Sequence, residues 1–139
     1  MTASTAATPS TRTRSRAGHR TLWGLQILMG VFFVVASAAP KFVGEAYAVE
    51  IFTQIGAGQW FRYLVGAIEL AGGIGLMVPR LAGPAAVGLM GLMIGAGYTQ
   101  AVVLDAPHMV TSPIIFFVLM AVIAYGRRDS IAAWIPGRD

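Results

Sequence analysis

The chain has no cysteine, which removes disulfides, thiolate metal sites, iron–sulfur clusters and cysteine nucleophiles together. Its two histidines, His19 and His108, both fall outside the long apolar runs, so two-histidine ligation of a membrane-embedded haem is closed to a single chain. No dinucleotide or flavin fingerprint compensates, because the glycine-rich run from Gly72 to Gly75 lies inside a hydrophobic stretch. No built-in cofactor is therefore expected, and an electron carrier would have to sit on another chain. Charge is also scarce, at 12% of residues against 56% hydrophobic. Together with a mean hydropathy of +0.69 this excludes an ordinary soluble domain. The net charge of +4 is spread over tails and loops with no aromatic-studded groove, so nucleic acid is not expected as a partner. The lipid bilayer is.

What the chain does have is long apolar runs, one of them interrupted by an acid. Trp60 to Val78 reads as a membrane-crossing helix with Glu69 near its middle. Glu69 follows Trp60 by nine residues, roughly 13 Å at 1.5 Å per residue, in a hydrocarbon slab about 30 Å thick. Ionisable groups at that depth are costly, rarely face lipid and mark functional sites by default. At helical spacing its neighbours are Arg62, Val65, Gly66, Gly72 and Gly73. A face so poor in side chains lets another helix come close, so Glu69 is expected to point into a packed bundle that satisfies it.

Four such runs give the expected fold class: an all-α membrane protein, four transmembrane helices in a bundle, with an outer amphipathic helix between helices 1 and 2. Residues 1–20 are small, polar and basic, a disordered cytoplasmic tail. The membrane domain spans 21–128, with crossings at about 21–39, 60–78, 81–104 and 109–126. Ala36-Ser37-Ala38 in the first run resembles a signal-cleavage motif, but the apolar run exceeds a signal core and Pro40 follows, so it reads as a retained span. Between Pro40 and Gly58, Phe42, Val43, Ala46, Val49 and Phe52 recur at helical spacing among Glu45, Glu50 and Gln54, the pattern of a helix lying on the bilayer surface. Gly91 and Gly95 in the third span carry small-residue spacing and predict a tight helix contact. Residues 129–139, with Ile131, Trp134 and Ile135, read as a short interfacial tail.

With both termini on one side, that side holds Arg12, Arg14, Arg16, Arg20, Arg80, Arg127, Arg128 and Arg138, and the other only Lys41 and Arg62. The bias places both termini in the cytoplasm. The outer halves of the helices then bring Lys41, Arg62, Tyr98, Thr99 and Gln100 to one depth zone above Glu69. Lys41, Glu69, Tyr98, Arg62 and Gln100 are the expected ligand-binding residues. Tyr98 lies closest in depth to the acid and could donate to it, and either Lys41 or Arg62 could be its counter-charge.

The run Pro40 to Gly44, the run Phe52 to Gly56 and the glycine-rich Gly66 to Gly73, with Leu76, Pro79 and Arg80, resemble the DoxX-like family of small bacterial membrane proteins. The likeness extends from about Leu22 to Tyr125. It implies a four-helix protein of the bacterial cytoplasmic membrane, and it picks out Lys41 after the first span and Glu69 within the second. Many relatives carry a histidine near the outer end of span three, where this chain has Tyr98-Thr99-Gln100. The family name comes from a subunit of a thiosulfate-oxidising, quinone-reducing complex. The resemblance thus implies an accessory subunit of a quinone-linked membrane oxidoreductase assembly, with other membrane or redox subunits, or a second copy, as partners. Quinone would be the bound molecule, held through Lys41, Tyr98 and Glu69. A small proton-coupled carrier and a purely structural assembly subunit are the alternative readings.

Overall fold

The computed structural model describes residues 16–137. Among these the chain is helical and contains no strand. Helix α1 runs Arg16–Val43, α2 Ala46–Ile55, α3 Gln59–Leu76, α4 Ala82–Val103, α5 Thr111–Gly126 and α6 Arg128–Ala132. Three of them, α1, α4 and the segment Pro107–Gly126 that contains α5, are long and apolar enough to cross a membrane. Helix α3, with 18 residues, carries Arg62 and Glu69 and is not among the three. Residues 16–20, expected in the tail, are instead the first turns of α1; the rest of the expected tail, residues 1–15, lies outside the described residues.

Two boundaries differ from the sequence reading, and both bear on the site. Helix α1 does not end at Pro40. Proline lacks an N–H, and the chain accommodates it with a widened π turn over Phe32–Ala38, in which the Ala39 N–H reaches back to the Val34 carbonyl. Helical structure then continues to Val43 and stops at Gly44, whose φ of +72° suits a residue without Cβ. Phe42 and Val43 therefore belong to the first long helix, and the amphipathic connection is only α2. Its N-terminus is capped by the Glu45 side chain, which accepts from the Ala48 N–H at 3.1 Å.

The interior is apolar and formed by the long helices: Leu22, Met29, Phe33, Leu76, Ala86, Leu89, Met93, Met120 and Ile123 are buried together. Phe116 of α5 stacks on Phe32 at 4.8 Å between ring centres. Ile27, Val35, Leu64, Ile94, Ile115 and Val122 point outward, so these helices are apolar on both faces, as a lipid-embedded bundle requires. The first turns of α1 and the end of α5 meet at one end of the bundle, where Arg127 donates to Gln26 and stacks over Trp23. Lys41 and Arg62 lie at the other.

The expected contact through Gly91 and Gly95 does not form among the described residues. Nothing stands within 4 Å of where a Cβ would be at Gly88, Gly91 or Gly95. Close approach happens elsewhere, between Gly30 of α1 and Gly73 of α3 and between Gly83 of α4 and Ser130. Small-residue spacing marks a flat face without saying what lies opposite it.

Candidate functional site

Glu69 sits ten residues into α3 and is 5% exposed. It points at α1 and away from the outer surface. The approach is possible because Gly66, one turn earlier, leaves only 3.2 Å between a would-be Cβ and both Lys41 Cβ and the Phe42 ring. Lys41 Nζ lies 2.8 Å from Glu69 Oε2. The angles fall outside those of an aligned hydrogen bond, so this contact is Coulombic. Ser37 Oγ donates to the other oxygen, Oε1, at 2.8 Å. The same ammonium donates to the Ser37 carbonyl at 2.9 Å. Ser37, Lys41 and Glu69 thus close on one another, and Ser37 and Lys41 share a face because they are four residues apart on α1.

This triad forms part of the wall of a cavity of about 500 Å³. Helix α1 contributes Ala36, Ser37 and Lys41, α3 contributes Val65 and Glu69, and the glycines Gly91 and Gly95 of α4 open the opposite side. Helix α2 covers it with Ile51, Phe52 and Ile55. Thr99 and Gln100 line the cavity from a second π turn, Thr99–Val103. Two widened turns, one on each side of a single cavity, rotate polar side chains inward from otherwise apolar helices; π turns of this kind are frequent at functional sites.

Of the residues expected from sequence, Lys41, Glu69 and Gln100 are brought together here. Arg62 is not on the wall and does not reach Glu69. It is buried behind Lys41, where Nη1 donates to the Lys41 carbonyl and Nε donates to Gln59 Oε1 at 2.8 Å. Tyr98 is 63% exposed and points away from the cavity; the donor to Glu69 is Ser37 instead. Depth along the helix carries no information on direction around its axis, and Tyr98 faces outward. Ser37 escaped the sequence reading because it looked like part of a cleavage motif; its four-residue spacing to Lys41 was the usable signal.

Chemically, the cavity offers an apolar slot edged by Phe52 and Phe61, with an ammonium and an amide on its wall. That suits a molecule with a flat apolar body and an acceptor at its head. The model of the DoxX-like family matches residues 24–123, most of the chain and all of this cavity wall. No curated protein and no solved structure matches it. The chain belongs to the DoxX-like family and is a membrane protein of that family.

Proposed function

We propose that this DoxX-like protein is an accessory subunit of a quinone-linked oxidoreductase assembly in the bacterial cytoplasmic membrane, and that its cavity holds a quinone head. The observation that carries this reading is the Lys41–Glu69 pair, 2.8 Å apart, set in the wall of a mostly apolar cavity of about 500 Å³ that Ser37, Thr99 and Gln100 also line. A quinone presents carbonyl acceptors on a flat ring; Lys41 and Gln100 are donors, and Phe52 and Phe61 supply ring-shaped apolar surface. Electron transfer itself would belong to a partner subunit.

The same reading takes α3 as a fourth crossing, which its 18 residues support at about 27 Å, close to the hydrocarbon thickness. Arg62 and Glu69 face protein partners there, so lipid does not meet their charge. The bond from Arg127 to Gln26 brings the start of α1 and the end of α5 to one side, which calls for an even number of crossings. The arginine bias makes that side the cytoplasmic one.

The test is extraction in lipid-retaining discs followed by chromatographic quantification of quinone. The unaltered protein is expected to carry bound quinone, and Lys41→Met to lose it. Quinone-free protein that still retains its native lipid would overturn the reading.

A further inference from the structure

We infer that α2 is a hinged cover on the cavity, and that Gln59 and Arg62 form the latch that positions it. This concerns access to the cavity and holds whichever molecule the cavity takes.

Helix α2 contributes Tyr47, Ala48, Ile51, Phe52 and Ile55 to the cavity wall, yet only Phe52 of its residues is buried. A cover held by one buried ring is easily displaced, since local opening is cheapest where buried apolar contact is sparse. Phe52 meets Phe61 of α3 edge to face at 5.8 Å. Gly44, at φ +72°, and Gly56, at φ +80°, bound the helix, and both conformations are ones that glycine adopts without strain. Hinges are built from such element-terminal residues.

One polar relay ties this cover down. The Gln59 amide nitrogen donates to Thr53 Oγ1 at 3.1 Å and to the Val49 carbonyl at 3.4 Å, both on α2. The Gln59 carbonyl accepts from Arg62 Nε at 2.8 Å, and Arg62 Nη1 donates to the backbone carbonyl of Lys41. Arg62 is 5% exposed and lies over the Tyr63 ring at 4.4 Å, so its guanidinium is fixed. The relay therefore runs from the cover through one glutamine and one arginine to the residue that carries the cavity's ammonium. Gln59 uses opposite ends of its amide for the two halves. That permits a separation: Gln59→Glu keeps a now charged acceptor for Arg62 and replaces the donor that holds α2 with an oxygen facing the Val49 carbonyl.

Because the chain lacks cysteine, one introduced thiol is the only one present. Val65→Cys places it on the cavity wall, and Gln54→Cys on the exposed face of α2 as a control. The full-length protein in its native membrane is labelled with a small charged methanethiosulfonate. Adding Gln59→Glu, or separately Thr53→Val, is expected to speed labelling at Val65→Cys by about fivefold, the factor for one ordinary hydrogen bond lost from the closed state. Labelling at Gln54→Cys should stay unchanged. Unchanged rates at Val65→Cys in both backgrounds would overturn the latch, and equal acceleration at both thiols would overturn it too, as general loosening. No quinone enters the measurement, so its failure is distinct from failure of the ligand reading.

Discussion

Gly30 and Gly73 meet backbone to backbone where α1 crosses α3: a methyl on Gly73 would stand 2.9 Å from the Gly30 carbonyl oxygen, and one on Gly30 2.8 Å from the Gly73 carbonyl. Backbone cannot give way as a flexible side chain can. This crossing lies one turn from Glu69 and two turns from Ser37, so it sets the distance across which the triad closes. Gly73→Ala is expected to lower stability by about 1–3 kcal/mol, the usual range for overpacking, despite alanine's better helix propensity. Gly91→Ala, which meets open space, should be as stable as the parent or up to about 1 kcal/mol more stable, alanine's advantage inside a helix. Thermal unfolding of the two variants in one detergent checks the contrast.

The Lys41–Glu69 pair should behave as a unit. Its side chains are 16% and 7% exposed, so removing either leaves the other's charge in a poorly solvated place. Lys41→Met or Glu69→Leu alone is expected to cost about 3 kcal/mol, at the low end for a broken buried pair because Lys41 keeps some exposure. The double variant should cost less than the sum of the two by at least about 1 kcal/mol. Strictly additive losses in a double-mutant cycle would show that the two groups are stabilised independently.

Gly95→Phe probes the cavity without touching the triad. Nothing stands within 4 Å of a Cβ at Gly95, which lines the cavity, so a ring there has space to enter and occupies what a ligand would use. Melting temperature is expected to stay close to the parent's, while bound quinone falls about tenfold, equivalent to about 1.4 kcal/mol. Undiminished quinone in the variant would place the ligand elsewhere on the protein.

Part of this site was legible from the chain alone, for a physical reason: charge in an apolar run is expensive, so Glu69 announced itself, while Lys41 stood out at the end of the first span, where the family likeness also pointed. That Glu69 would face protein followed from Gly66 and Gly73 on its own face, and the structure shows it buried against α1. The sequence was less informative about azimuth. Tyr98, Thr99 and Gln100 sit at nearly one depth, yet the first points outward and the next two line the cavity. A π turn starting at Thr99 shifts the helical phase there, and no residue type encodes such a turn. Polar residues without charge were also quiet: Ser37 and Gln59 cost little to expose, so only the four-residue spacing of Ser37 to Lys41 hinted at a partner. Gln26 is a lone amide in the first long helix, and what it binds depends on the ends of α3 and α5, far away in sequence.

That amide supports the last prediction. Gln26 is fully buried; its nitrogen donates to the Leu76 carbonyl at 2.8 Å and its oxygen accepts from Arg127 Nε at 2.5 Å. One side chain thus satisfies an orphan carbonyl at the end of α3 and an arginine just past the end of α5. Gln26→Leu has similar bulk but leaves the Leu76 carbonyl without this donor and takes one acceptor from Arg127, which should cost about 1–3 kcal/mol in all. Gln26→Glu keeps a charged acceptor facing Arg127 but sets its other oxygen against the Leu76 carbonyl, so it too should melt below the parent. Both changes lie at the opposite end of the bundle from Lys41. Quinone content per folded protein should therefore be unchanged in either variant, even as melting temperature falls. A ligand loss that tracks the melting temperature would mean that this end of the bundle controls the cavity, and that the two polar clusters are not separable.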